Sequence, residues 1–435
     1  MSNLKEKNSI NLIYGVNENP SLSEKILFGI QHIFASFGGI IVVPLVVASA
    51  LGFDAKTSTA LISASILSAG IATIIQSKGA GPVGARVAAI MGTDFTFVSP
   101  SIAVGSVLGL PGIIGATILG SLFEVVVSYF IRPLMKLFPP LVTGTVVSLI
   151  GLTLLPVSID WAAGGAGAAD YGNIRNIAIS MLVLIVTLLL NHYGKGMISG
   201  AAILIGIVVG YAICIPLGLV DLTSVKEASW VSFPKIMEYG IKFDLKAVIA
   251  FLPAYFVSAI GTVGCLKAVG EVSKVDLDEK RIGAGVLADS VGSMIAGFAG
   301  AFPNTTFSQN VGLIPLTKVA SRYVTTMAGI ILVILGFLPK IAAVVNSIPQ
   351  QVLGGVGIVM FGTVAAAGID TLSKVKINQR NLLIIATSIG LGLGVTFRPE
   401  FISQLPEGLK MIFSSGISTG TIVALVLNMV LKEDK

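Results

Sequence analysis

Apolar runs of about 20 residues recur along the whole of this 435-residue sequence, and no other feature limits its folding so tightly. They lie near 26–48, 57–77, 112–131, 139–158, 176–193, 198–219, 247–267, 281–300, 322–344, 350–369, 381–397 and 411–431. As helix, each is long enough to cross the ~30 Å hydrocarbon layer of a bilayer. Charged residues make up only 11% of the chain, against roughly 25% in soluble domains. In hydrocarbon every backbone N–H and C=O must be satisfied within the protein. Broken backbone therefore survives there only inside protein or beside a cavity.

Two stretches break the pattern. Residues 302–318 contain Pro303-Asn304-Thr305-Thr306 and then Ser308-Gln309-Asn310, which cannot continue a helix. Residues 81–100 contain a Gly-Thr-Asp-Phe-Thr interruption at 92–96. Counting 84–104 and 303–318 as spans, each a short strand plus a half-helix, brings the expected total to about fourteen. Two interrupted segments at corresponding places in two halves are the mark of an inverted-repeat transporter with its site near the midplane. The expected fold is an all-α polytopic membrane protein built as two inverted seven-span repeats. Two short antiparallel strands, in spans 3 and 10, would pair and satisfy each other.

Lys and Arg set the orientation. One side carries Lys5, Lys7, Lys25, Lys78, Arg86, Arg132, Lys136, Lys195, Lys274, Lys280, Arg281, Lys318, Arg322, Lys374, Lys376, Arg380, Lys432 and Lys435, eighteen in all. The other side carries five, Lys56, Arg175, Lys340, Arg398 and Lys410, and four more, Lys226, Lys235, Lys242 and Lys246, lie in the one longer loop. Both termini are expected in the cytoplasm of a multi-pass plasma-membrane protein, with loop 221–246 outside. The net charge of +6 is scattered, so no nucleic-acid partner is expected. Cys214 and Cys265 lie in apolar runs and read as buried thiols, and no secretory signal peptide is visible. No metal-ligand cluster, nucleophile–base pair or phosphate loop appears, so neither a cofactor nor an enzyme is expected.

The run Gln309-Asn310-Val311-Gly312-Leu313-Ile314-Pro315-Leu316-Thr317-Lys318 resembles the signature of the nucleobase–ascorbate transporter family, the xanthine/uracil permeases. The resemblance extends from Gln31-His32 to the last apolar run. It implies a core domain of spans 1–4 (23–135) and 8–11 (247–345), after an N-terminal tail of 1–22. It also implies a gate domain of spans 5–7 (136–220) and 12–14 (346–435), which usually forms a homodimer interface. The implied function is uptake of a nucleobase, a purine, xanthine or urate, by symport with a proton or sodium ion and alternating access.

Several polar groups in the apolar runs are candidates for that work. Gln309 and Asn310 offer amides that match the edge of a purine or pyrimidine; Ser308, Phe307 and Thr93 flank the same breaks. Phe95 matches an aromatic position that in the family lies against the substrate ring. His32 is either a proton carrier or a structural partner of a neighbouring helix. Asp94 is either an N-cap or a coupling carboxylate. Asp289 resembles the family's intramembrane acidic coupling residue, with structural glue as the other reading. Counted without gaps back from Asp289, the family's substrate-binding Glu of span 8 falls on Gly261. This absence leaves an uncoupled facilitator open as an alternative, and Asp94 is a candidate replacement. Lys267 and Glu271 lie about two turns further along and are expected to pair with each other. Glu124, in the middle of an apolar run, receives no role. An anion carrier of sulfate-permease type is the other alternative, since helix N-termini attract anions.

Overall fold

The computed structural model describes residues 12–131, 133, 138–233 and 235–431. Residues 1–11 of the expected tail, and with them Lys5 and Lys7, lie outside the described residues, as do Arg132, Lys136, Lys432 and Lys435 of the charge count.

The long helices begin where the sequence supplies caps. Helix α1 (Leu22–Leu51) starts with a reciprocal capping box between Ser21 and Glu24. Asp54 caps α2 (Ala55–Lys78) through the Thr57 N–H. The chain then breaks into strand β1 (Met91–Thr93) and a 3-10 turn, Phe95–Phe97. Helix α3 (Val98–Tyr129) is two spans in one. It is interrupted at Gly109, whose φ of 67° suits a residue without Cβ, and Pro111 follows with no N–H to give. Helices α4 (Pro140–Ala162), α5 (Ile174–Tyr193) and α6 (Ala202–Cys214) complete the first half.

The second half repeats the order. Helices α7 (Leu245–Val272) and α8 (Glu279–Ala299) lead to strand β2 (Asn304–Thr306) and a short helix α9 (Leu313–Thr317). Then come α10 (Arg322–Gly336), α11 (Pro339–Asn346), α12 (Gln350–Ser373), α13 (Gln379–Phe397), α14 (Glu407–Phe413) and α15 (Gly416–Val430). Among the described residues nine helices are long and apolar enough to cross a bilayer, or eleven if each sharply bent pair, α10–α11 at 83° and α14–α15 at 86°, counts once. Dividing α3 at Gly109, and adding α6 and the β2–α9 segment, gives fourteen spans in two inverted sets of seven.

The strands, third in each set, meet antiparallel in the register Met91↔Thr306, Gly92↔Thr305 and Thr93↔Asn304. Helices α1, α2, α3, α7, α8 and α10 pack together around them, while α4 lies along α12 and packs with α13, α15 and α5 as a second group. Cys214 and Cys265 are free and buried.

Small residues set the closest approaches. On α2, a Cβ added at Gly70 would lie 2.6 Å from the Val333 nitrogen and 2.7 Å from the Gly329 oxygen of α10. Gly70→Val should therefore destabilise the protein by about 1–3 kcal/mol through overpacking, read as a lower melting temperature in detergent. Gly362→Ala is the control. Its Cβ would meet nothing within 4 Å, and the melting temperature should not fall.

Candidate functional site

A two-stranded sheet inside a membrane protein has two bare edges, and their backbone groups need partners. Thr73 of α2 serves the β1 edge. Its hydroxyl accepts from the Met91 N–H at 2.9 Å and donates to the Met91 carbonyl at 3.3 Å. Ser293 of α8 does the same on the β2 edge, accepting from the Asn304 N–H at 3.0 Å and donating to its carbonyl at 3.2 Å. The helix before the strand supplies the hydroxyl in both repeats. Beyond the strand ends, Phe307 N–H donates to the Ile90 carbonyl and Asp94 N–H to the Pro303 carbonyl.

Asp289, fully buried on α8, is held by hydroxyls. Thr262 of α7 donates to one carboxylate oxygen and Thr306 of β2 to the other, the latter at 2.9 Å. Thr306 in turn accepts from the Gln76 amide at 2.9 Å, and the Gln76 carbonyl oxygen accepts from the Ala85 N–H. The carboxyl group thus joins α2, α7, α8 and β2 into one polar network.

The signature segment leaves β2 and splits by side chain. Phe307 is buried, its ring packed where Cβ atoms on Gly39 of α1 and Gly92 of β1 would otherwise stand. Ser308 and Gln309 are exposed, and the Gln309 amide nitrogen stands over Gly39, 3.7 Å from where its Cβ would be. Asn310 turns the other way and is buried. Its amide donates to the His32 carbonyl at 2.8 Å and meets His32 Nδ1 at 3.1 Å. With Asn310 as the donor, Nδ1 is the acceptor and the ring proton sits on Nε2.

On the other strand, the Thr93 hydroxyl donates to the Gly39 and Ile40 carbonyls of α1, each at 3.0 Å. Pro44 has no N–H for the Ile40 carbonyl, and Thr93 supplies the missing donor. Asp94 caps the 3-10 turn, accepting from the Thr96 N–H at 2.9 Å and its hydroxyl at 2.7 Å. Phe95 meets Phe361 of α12 edge-on, with ring centroids 5.5 Å apart, so one aromatic pair spans the two helix groups.

Gly261 is exposed, and a Cβ there, or at Gly264, would meet nothing within 4 Å. One position round the helix Thr262 faces Asp289, and Cys265 donates to the Phe307 carbonyl at 3.4 Å. The empty face of α7 therefore adjoins the strand pair. The structure gathers Gln309, Phe307, Gly39 and Gly92 in one place and Asp289, Thr262 and Thr306 in another. It turns Asn310 away, into α1. Sequence reasoning missed Gln76, Thr73, Thr262, Ser293 and Phe361. Gln76 alone carried a signal, as an amide near the end of an apolar run.

Residues 23–401 match the profile of the Permease family (Xan_ur_permease). A Clostridium perfringens protein named "Putative purine permease CPE0397" is 73% identical over 424 residues, covering 98% of this chain and 94% of its own length. The uric acid transporter UacT of Escherichia coli (strain K12) is 41% identical over 410 residues, covering 93% of this chain and 85% of its own length. The xanthine permease of Bacillus subtilis (strain 168) is 39% identical over 404 residues, covering 92% of both chains. Among solved structures, the transmembrane domain of the cyanobacterium bicarbonate transporter BicA superposes with a TM-score of 0.60 at 13% identity, over 95% of this chain and 99% of that one. SLC26A9 gives a TM-score of 0.64 at 11% identity, over 94% of this chain and 66% of that one. At such identities the two structures speak for the fold alone.

Thr73→Val keeps the shape of the side chain but removes the hydroxyl from both Met91 backbone groups. Each group left unsatisfied should cost roughly 1–3 kcal/mol, so the melting temperature should fall. Thr73→Ser keeps the hydroxyl and should retain most of the stability.

Proposed function

We propose that this chain, which belongs to the Permease family (Xan_ur_permease), imports a purine-type nucleobase such as xanthine or urate by proton symport with alternating access. The observation that carries the reading is the exposed Gln309 amide just past β2, standing over Gly39, two residues after the Phe307 carbonyl that Cys265 of α7 binds. A primary amide presents donors and an acceptor in one plane, the arrangement needed to pair with the edge of a flat heterocycle. The names of the relatives, which specify purine, xanthine and uric acid, support the same substrate class.

In this reading Gln309 is the main recognition group, with Ser308 beside it. Phe95 offers an aromatic surface to the base, and Phe307, Thr93 and Asn310 hold the frame. His32 positions Asn310. Asp289 and Asp94 are the coupling candidates, and Gly261 leaves room rather than making contact. The core (23–135 and 247–345) moves against the gate (136–220 and 346–435), with the Phe95–Phe361 contact on the boundary. The gate also forms a homodimer, and both termini face the cytoplasm of a plasma-membrane protein.

Asp94 disfavours an anion as substrate. Its carboxylate already takes the N–H at the start of the 3-10 turn, where an anion would bind, and would repel one.

Uptake into proteoliposomes should be competed by xanthine, urate, guanine, hypoxanthine or uracil and not by sulfate or bicarbonate. Gln309→Ala should reduce uptake of the preferred base by at least about tenfold, the loss of one or two good hydrogen bonds; unchanged uptake would remove Gln309 from the site. Asp94→Asn keeps the cap but removes the charge. It should abolish uptake or flatten its pH dependence, and normal behaviour would confine Asp94 to capping.

A further inference from the structure

Glu124 is a fully buried acid with no part in the transport step proposed above. It lies on the fourth-span part of α3 and is fully buried, and neither carboxylate oxygen has a hydrogen-bond partner among the described residues. Its surroundings are tight. About two turns before it, the Tyr255 hydroxyl of α7 donates to the Thr117 carbonyl at 2.7 Å. One turn before it, the Ser290 hydroxyl of α8 donates to the Ser121 carbonyl at 2.7 Å. One turn after it, the Ser128 carbonyl would lie 2.8 Å from a Cβ on Gly283 of α8. Glu124 therefore sits where α3, α7 and α8 meet, within the same helix group as the strand pair.

The facing side of α7 is polar. Tyr255, Ser258 and Thr262 occur at spacings of three and four and share one face. Thr262 is bound to Asp289, and the Ser258 hydroxyl is buried. Among the elements packed on α3, α7 carries Tyr255, with Lys246, Cys265, Lys267 and Glu271 elsewhere along it, α8 carries Asp289, with Glu279, Lys280 and Arg281 in its first turn, and Asp94 stands ahead of the 3-10 turn. Helix α1 contributes His32, which is bound to Asn310 instead. Helix α14 contributes Glu407 and Lys410, but its Gly408 packs against Lys246 at the start of α7. Helix α15 carries no titratable residue.

A buried carboxyl group without a donor serves no structural purpose, because it costs stability whether or not it is charged. Two neighbouring negative charges buried in protein also repel strongly. We propose that Glu124 is a second acid–base site of the transport cycle, taking up and releasing a proton in step with Asp289. The step is a bare proton transfer. An O–H bond forms on one carboxyl oxygen as a proton arrives and breaks as it leaves, and nothing is oxidised or reduced.

This rests on the transport reading, but its first test does not. In infrared difference spectra of the purified protein between two pH values, the wild type should show a protonated-carboxyl C=O band that Glu124→Gln removes. Glu124→Asp should shift that band, which keeps the test decisive if the Gln variant folds poorly. Glu271→Gln, at an exposed position, should leave it alone. A band unchanged in Glu124→Gln and Glu124→Asp would overturn the proposal. In proteoliposomes, the ratio of pH-driven xanthine accumulation to xanthine exchange should fall in Glu124→Gln by at least about fivefold, the lower end of usual coupling between two sites. Melting temperature should hold or rise. An unchanged ratio would overturn the coupling role. Wild-type protein that moves no nucleobase would refute the transport reading, and the infrared result would still decide the proton site.

Discussion

Hydrogen-bonding the edges of two three-residue strands in a water-poor interior is the constraint from which the rest follows. Two strands satisfy each other only on their inner sides. The outer groups of Met91 and Asn304 would stay bare at a cost of roughly 1–3 kcal/mol each. One hydroxyl on each flanking helix, Thr73 and Ser293, accepts from the N–H and donates to the C=O of the same residue. That the same device appears at the third span of each half is what an inverted repeat predicts. The antiparallel register is likewise what a twofold relation between the two strands requires.

Once the strands are fixed, the functional side chains have little freedom. Thr306 ties β2 to Asp289 and Gln76, so a change at the carboxyl group pulls on the strand itself. Thr93 ties β1 to the carbonyl that Pro44 leaves free in α1. Asn310 ties the signature segment to His32 of the same helix. Glycines at 39 and 92 admit the Phe307 ring between α1 and β1, and that ring lies against the helix over which Gln309 stands. The likeness to bicarbonate and SLC26 proteins extends to this scaffold and no further. Which ligand fits depends on the few groups mounted on it.

Much of this was legible in the sequence. Pro303-Asn304-Thr305-Thr306 could not be helix, and in a chain otherwise made of apolar helices the break had to be buried and paired. The structure shows the hydrogen bonds of the structural readings: Asp94 caps the 3-10 turn, and Asp289 joins neighbouring spans. Other features were hidden for physical reasons. Thr73 and Ser293 look like any hydroxyl that bonds back to its own helix, and only tertiary contact shows that they serve a strand. His32 and Asn310 each stood out alone, but their contact joins positions 278 residues apart. Phe361 lies in an apolar run where any large side chain would pass as packing. The empty space at Gly261 depends on what neighbouring helices leave unfilled, which no local pattern encodes.

The central claim is that the open face of α7 and the end of β2 border one substrate space. Thiol labelling tests it most directly, because Gly261→Cys places a side chain where nothing lies within 4 Å and the native Cys214 and Cys265 are buried. The account predicts that Gly261→Cys and Ser308→Cys react with a small polar maleimide, and that xanthine or urate slows both reactions. Labelling of both cysteines at the same rate with and without a base that the protein transports would contradict it.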